Sequence, residues 1–256
     1  AEKKARVHYY IDAGPSYTIR NIDRQVPDPH LSYFVEDELS NSLIKEGQRF
    51  SVDKMDGERE LLLTRFKNEG FYDMSKEDIY FQVDSTISGK QVDLTMGVHQ
   101  RRVTDPLNKD SVLEKNHLRY KINDITINRS YDPSDAVGSS GSITDSDTTI
   151  FRDYKIIGKP DVRIKPNIIV QNVRFETGEY FSREQLQATH RSLTAMDIFS
   201  AVNIKFERQF SDTTGDGLLN TLILLTPAKK QQLVFETRGT HNSGFFGTAG
   251  SVTYRN

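Results

Sequence analysis

The sequence predicts an α+β protein built from two repeated units. A short pattern, Gly-x-x-Phe-Ser followed by two spaced apolar residues, occurs over 47–62 and again over 178–193. Each position in the second copy lies 131 residues after its counterpart (178 − 47). Both copies lie in the same order of predicted elements: strand, helix, helix, strand, strand. Self-similarity at a fixed spacing is typical of a repeated supersecondary unit, so we expect two domains of similar fold.

Five segments of the first unit have the spacing of regular elements, because apolar residues either alternate with polar ones or recur every three to four positions. In chain order they predict a strand over 17–22, a helix over 31–44, a helix from 51 to 70, and strands over 79–83 and 92–96. Gly47 is interpreted as the C-terminal cap of the first helix. The polar stretch 101–116 that follows predicts a linker.

The second unit repeats this order. Its segments predict a strand over 120–127, a helix from Pro166 to Gly178, a helix over 186–196, and strands over 202–206 and 218–225. Residues 132–149 are rich in Gly, Ser and Asp, a composition that cannot bury a core, so they predict an exposed loop. Two further strands, over 233–239 and from 251, come last. We therefore expect the chain to be cut from a longer protein within a hairpin.

Composition limits the classes of function that the protein can have. A chain of 256 residues has room for about two domains. Its 36% hydrophobic and 27% charged residues fit small, well-solvated domains. The net charge of −2, without any block of Lys and Arg, predicts no nucleic-acid partner. Zero cysteines exclude disulfides and thiolate zinc sites.

Sequence motifs of catalysis are missing. The six histidines show no HExxH or other metal-ligand spacing, and no nucleophile elbow, P-loop or dinucleotide fingerprint follows a predicted strand. We therefore predict that the protein is not an enzyme and has no metal site and no cofactor. A hydrolase on an unrelated α+β fold stays open as an alternative, because residues distant in sequence can still form a site.

The repeated unit, with its helices joined through Gly-x-x-Phe, resembles the POTRA domain of the BamA/TamA superfamily of outer-membrane protein assembly. Residues 66–72 resemble the end of a POTRA second helix, residues 9–19 resemble a junction between two POTRA domains, and residues 235–244 resemble the start of the membrane β-barrel. The resemblance implies tandem POTRA domains, each a three-stranded sheet packed on two helices. In its many tyrosines and its inserted loop, the chain is similar to a TamA-like protein of the Bacteroidetes type.

This resemblance implies a domain organisation. It divides the chain into the end of a preceding POTRA domain or a linker strand (1–16), a POTRA domain (17–100), a linker (101–116), a POTRA domain (117–230) with an inserted loop at 132–160, and the first strands of a truncated outer-membrane β-barrel (231–256).

The resemblance also implies a function on the periplasmic side of the Gram-negative outer membrane. Unfolded outer-membrane protein clients would add as strands to open sheet edges and pass to the barrel. The edge residues would be Ile79, Phe81, Val83, Val202, Ile204 and Phe206, and the first barrel strand would carry Leu233 and Phe235. Further expected partners are a periplasmic accessory or TamB-like protein and the outer membrane, contacted through the missing barrel. The alternative within the superfamily is a two-partner secretion transporter with one dedicated substrate.

Overall fold

The computed structural model describes residues 8–10, 14, 16–105, 111–133, 147–159, 164–210, 216–228, 232–242 and 245–255. The chain divides into two compact units, which we call unit 1 (1–119) and unit 2 (120–256). Both units combine sheets with a few helices, so the predicted α+β class is confirmed.

Unit 1 contains the predicted order of strand, two helices and two strands. These elements are β1 (Thr18–Gln25), α1 (Pro29–Asp37), α2 (Val52–Asn68), β2 (Ile79–Asp84) and β3 (Gln91–Val98). The sheet order is β1-β3-β2, with β1 parallel and β2 antiparallel to β3. A hairpin of β4 (Arg101–Thr104) and β5 (Val112–Lys115) follows where a linker was predicted.

Helix ends in unit 1 follow local chemistry. The Asp28 side chain caps α1 by accepting a hydrogen bond from the His30 N–H at 2.9 Å, and Pro29 suits the first helical position. Gly70, with φ +104°, allows the chain to turn just after α2. The buried faces of both helices then pack with the sheet around a core of Leu31, Phe34, Val35, Leu62, Leu63, Phe66, Phe71, Met74, Ile79, Met96 and Val98.

Helix α1 is shorter than predicted. It ends at Asp37, and a single 3₁₀ turn, Glu38–Asn41, follows it. The predicted helix continued to residue 44 because Leu43 and Ile44 fall at helical spacing. Instead the Leu43 N–H donates to the buried Glu58 carboxylate at 2.7 Å. This side-chain acceptor replaces the carbonyl that a continuing helix would have supplied.

Unit 2 has the same order, enlarged by two strands. Its elements are β6 (Tyr120–Asn128), β7 (Asp147–Phe151), β8 (Tyr154–Gly158), α3 (Pro166–Val170), α4 (Arg183–Thr194), β9 (Phe199–Phe210) and β10 (Gly217–Pro227). They form a five-stranded sheet in the order β7-β8-β6-β10-β9. Its core residues include Tyr120, Ile122, Ile125, Ile127, Ile156, Ile169, Phe175, Phe181, Leu193, Leu219 and Ile223.

The insertion is not a loop throughout, and this corrects the prediction. Its second part, 147–158, forms the hairpin of β7 and β8, and β8 runs parallel to β6. The alternation of Tyr154 and Ile156 with Lys155 is a strand pattern that the Gly- and Ser-rich residues before it obscured. The predicted flexible segment 134–146 lies outside the described residues.

Gly-x-x-Phe pairs with the first strand of its own unit. In unit 1 the Gly47 N–H donates to the Ile19 carbonyl and the Ile19 N–H to the Gln48 carbonyl, both at 2.8 Å. The Phe50 N–H donates to the Tyr17 carbonyl at 2.9 Å. The motif therefore closes part of the outer edge of β1, and Gly47 is not the helix cap that the sequence predicted.

Unit 2 repeats these three hydrogen bonds. The Gly178 N–H donates to the Ile122 carbonyl at 2.7 Å, the Ile122 N–H to Glu179 at 2.8 Å, and the Phe181 N–H to Tyr120 at 2.8 Å. Both motif glycines have positive φ, +76° and +90°, a region that other residues rarely adopt. The same pairing explains why the helix predicted from Pro166 to Gly178 ends early, at residue 170.

Tyr154 anchors the inserted hairpin. Its buried hydroxyl donates to the Phe175 carbonyl at 3.2 Å, and burial raises the pKa of this hydroxyl above its usual value.

Because the folded pKa is raised, the contribution of Tyr154 to stability is complete below the unfolded pKa of about 10 and is lost as pH rises through the folded pKa. We expect Tyr154→Phe to cost about 1 kcal/mol at neutral pH and to remove this alkaline loss. Urea unfolding of both proteins between neutral pH and high pH measures the difference. Parallel curves for the two proteins would contradict the assignment.

Beyond β10, β11 (Gln232–Asn242) and β12 (Phe245–Arg255) form an antiparallel two-stranded sheet. The prediction of two final strands is confirmed, and residues 243–244, which belong to the predicted turn, lie outside the described residues. That this hairpin begins a membrane barrel stays a prediction.

Candidate functional site

The predicted edge residues of unit 1 lie on a strand at the end of its sheet. β2 pairs with β3 on one side, and no strand of the described residues pairs with its other side. Ile79 is buried in the core, Phe81 is half-buried and Val83 is exposed. The three side chains thus become more exposed along the strand, from the core at its start to solvent at its end. The open backbone is a feature of the whole strand.

In unit 2 the predicted residues also lie on a terminal strand. β9 pairs with β10, and its other side has no strand partner within the part of the chain that the structure describes. Val202, Ile204 and Phe206 are half-buried and alternate with exposed residues. The Phe206 ring contacts the Phe181 ring edge-on, with 5.4 Å between centroids. One side of β9 therefore faces the Gly-x-x-Phe motif of its own unit.

A groove runs between α4 and β9. Its volume is ≈ 410 Å³, and its walls are formed by Leu186, Gln187, His190, Arg191, Val202, Asn203 and Ile204. A ring nitrogen of His190 lies 3.2 Å from the Val202 carbonyl oxygen. The groove thus combines apolar walls with the backbone of an edge strand. The sequence did not predict it, because only the edge residues were identified.

In unit 1 the position that corresponds to this groove, beside β2, is occupied by charged side chains. Arg59 occupies the repeat position of His190, 131 residues earlier, and its guanidinium lies over the Phe81 ring at 5.7 Å from the centroid. Asp56 lies 3.9 Å from Arg59 and 2.7 Å from the Lys76 ammonium group. The hydrogen bond from Lys76 lowers the pKa of Asp56. Two cations and a carboxylate thus lie beside the edge in unit 1, whereas unit 2 presents an open groove.

The predicted barrel residues lie on β11. Leu233 stands opposite Tyr254, and Phe235 stands opposite Val252. β11 pairs with β12 along its length.

One cavity of unit 1 gathers titratable side chains. It measures ≈ 340 Å³ and is lined by Asp73, Asp78, His99, Gln100, Arg101, Arg102 and His117. Asp78 accepts from the Ser75 N–H at 2.7 Å and so caps a short 3₁₀ turn. A ring nitrogen of His117 lies 2.7 Å from the His99 carbonyl oxygen. These contacts hold the end of unit 1 together and do not pair a nucleophile with a base.

Among the described residues, His, Asp and Glu side chains nowhere gather in threes that could hold a metal ion. Among the helices that the structure describes, none has both the length and the apolar character needed to cross a membrane.

The described residues thus form two small α+β units, each with helices packed on a sheet whose last strand has no further strand partner among those residues. The chain matches no family model and no curated protein by sequence. Among solved structures it is similar to BamA from Haemophilus ducreyi lacking POTRA domains 1–3, with a TM-score of 0.50 and 11% identity. The match covers 92% of this chain and 34% of that one.

It is also similar to POTRA domains 3–5 of Haemophilus influenzae BamA, with a TM-score of 0.46, 10% identity, and coverage of 82% of this chain and 61% of that one. The chain thus spans less than two thirds of both structures. Its fold is that of tandem POTRA domains, as predicted. The alternative of an unrelated α+β fold is therefore wrong.

Proposed function

We propose that this chain is the periplasmic POTRA region of an outer-membrane protein assembly or translocation factor. It binds unfolded clients by strand addition at β2 and β9 and delivers them to a membrane barrel. The domain division given above, with 231–256 as the first barrel strands, is part of the proposal. So are the absence of an enzymatic activity and the location on the periplasmic side of the Gram-negative outer membrane.

One observation carries the proposal: β9 ends its sheet beside a groove with apolar walls. An added strand would hydrogen-bond to the outer backbone of β9, which demands little of the client's sequence. Alternate side chains of that strand would enter the groove along Leu186 and Ile204. A receptor of this kind accepts many different strands, as an assembly factor must.

The two units would differ in strength of binding. In unit 1 an incoming side chain must displace Arg59 from the Phe81 ring, whereas the unit 2 groove is already open. We therefore assign the tighter client site to β9 and the weaker one to β2.

The remaining partners rest on the sequence resemblance. Under the TamA-like, Bacteroidetes-type assignment, a TamB-like periplasmic protein is the accessory partner. Leu233 and Phe235 belong to the first barrel strand, which would pair with the client strand at the seam of the complete barrel.

Backbone amide NMR tests the client site. The probe is a peptide with the last strand of an outer-membrane barrel protein, titrated into the full chain. We expect shifts concentrated on β9, and we expect Ile204→Lys to weaken binding about tenfold, because a charge in the groove removes apolar burial of the client. Ile168→Lys, the same change at a half-exposed helix position, should leave the affinity unchanged.

Equal weakening by both lysine variants, or shifts that avoid β2 and β9, would overturn the proposal. A panel of strand peptides with unrelated sequences distinguishes an assembly factor from a two-partner secretion transporter. Similar affinities across the panel indicate an assembly factor, whereas binding of a single sequence indicates a two-partner transporter.

A further inference from the structure

The inserted hairpin transfers the open edge of unit 2 to a new strand. The Gly-x-x-Phe motif closes the edge of β6 at Tyr120 and Ile122, and β8 closes it from Ile125 to Asn128. β7 then lies outermost, and no strand of the described residues pairs with its outer side. Within the described part of unit 2, the sheet therefore has two open ends, β9 and β7.

At the equivalent edge of unit 1 the described residues add no strand, and this edge is protected. Residues 22–25 of β1 correspond to 125–128, each 103 positions earlier (120 − 17), and both first strands carry an irregularity just before this stretch. The Glu46 carboxylate accepts from the Ile22 N–H at 3.3 Å, and Asp23 and Arg24 are exposed. Charged side chains on an edge strand discourage pairing with another chain.

β7 has one charged residue, Asp147, at its first position, and the rest of the strand is uncharged. Thr148, Thr149 and Ile150 are uncharged, β-branched and exposed, and 77% of the Ile150 surface is accessible. Residues of this kind favour strand pairing, and an unprotected edge of this composition is one that another chain can extend.

The turn of the hairpin fixes which backbone groups are free. Arg152 and Asp153 form a two-residue turn, so Phe151 and Tyr154 are the closing pair, hydrogen-bonded to each other. Because an antiparallel strand alternates the direction of its backbone groups, Thr148 and Ile150 point their N–H and C=O groups away from β8.

A shallow cleft next to Ile150 indicates the chemistry of the occupant. Its volume is ≈ 660 Å³, and its lining includes Thr148 and Ile150 together with two acids and two bases: Asp124, Asp153, Arg152 and Lys155. Because these charges balance, the cleft favours neither an acidic nor a basic segment. The outward backbone groups of β7 select an extended chain, and the exposed Ile150 side chain offers that chain an apolar contact.

We propose that β7 is a separate docking edge that binds an extended segment of a second protein, one with apolar or β-branched residues at alternate positions. β7 and β9 lie at opposite ends of the five-stranded sheet. Unit 2 can therefore hold this partner while β9 is occupied, and the β7 site does not depend on the function proposed for β9.

The test uses the full chain and a labelled peptide in which threonine and valine alternate between terminal lysines. Amide NMR should show shifts over 147–151, and Ile150→Lys should weaken binding at that site about tenfold, because it places a charge against the added strand. Ile168→Lys is the matched control and should bind β7 normally. Ile150→Pro removes an outward N–H without removing a bond to β8, and should also abolish these shifts.

Circular dichroism of each variant establishes that the hairpin is retained. The β7 shifts should persist when a client strand peptide saturates β9. The proposal is overturned if the shifts over 147–151 survive Ile150→Lys, or if the peptide binds only at β2 and β9. It is also overturned if sedimentation shows that β7 is covered by a second copy of the chain. Loss of client binding at β9 alone, with β7 binding retained, would contradict only the function proposed above.

Discussion

Replacing Phe66 with alanine is expected to destabilise unit 1 by about 3–5 kcal/mol, because it leaves a large cavity in a close-packed core. Phe66 lies on the buried face of α2 and has 0% of its surface exposed. Its ring meets Phe71 edge-on, with centroids 6.2 Å apart, and the Phe71 N–H donates to the Phe66 carbonyl. Helix, following turn and sheet are therefore joined at this side chain, and none of them can close the cavity alone.

Hydrogen exchange in urea measures this effect unit by unit. Amides of β3 and α2 should lose protection at lower urea in Phe66→Ala, whereas those of β6 and β10 should not change. Val52→Ala is the control on the same helix, because Val52 is 64% exposed and its loss removes little buried surface. A uniform loss of protection in both units would mean that they unfold together. That outcome would contradict the expectation that the effect is confined to unit 1.

The regular elements of unit 1 could be predicted because their signals are local. The alternation in β2 and β3 and the apolar stripe of α2 each lie within one segment, and Gly70 marks the helix end. The end of α1 could not be predicted this way. It depends on Glu58, which lies 15 residues beyond Leu43 and accepts its N–H only after α2 has packed.

The Gly-x-x-Phe repeat could be found from the sequence, but its role could not. Its backbone partners, Tyr17 and Ile19 in unit 1, precede it by about 30 residues, and main-chain hydrogen bonds leave no residue-specific trace. A positive φ at Gly47 serves a helix cap and a turn onto a strand equally well.

Only part of the candidate site could be predicted. The resemblance to POTRA domains indicated β2 and β9 as edge strands. The residues of a strand do not by themselves show that it lies at an edge, because strand order is a property of the assembled sheet. The groove beside β9 was missed, although a signal was present. The repeat positions 59 and 190 hold an arginine and a histidine, so the two units differ at the helix residue that meets the edge.

Replacing Gly217 with valine is expected to destabilise unit 2 by about 3 kcal/mol through overpacking. Gly217 stands opposite Tyr120 in the parallel pair of β10 and β6. A Cβ atom built on Gly217 would lie 2.3 Å from the Tyr120 ring, far inside van der Waals contact. The ring has 0% exposure, so the core around it leaves no room to move aside.

Gly239→Val is the matched control. Gly239 also lies in a strand of unit 2, but nothing lies within 4 Å of a Cβ built on it, so valine should be neutral there or slightly favourable. Chemical unfolding of unit 2 followed by hydrogen exchange on β6 compares the two variants.

A second substitution separates steric conflict from a general intolerance of side chains at Gly217. Tyr120→Leu removes the ring, so the double variant with Gly217→Val should lose less stability than the two single variants added together. Additive losses of stability would mean that the Tyr120 ring is not what excludes a side chain at Gly217. Because the Phe181 N–H donates to the Tyr120 carbonyl, the same residue also holds the Gly-x-x-Phe motif against β6. Protection of the Phe181 amide should therefore fall together with that of β6 in Gly217→Val, and remain unchanged in the control.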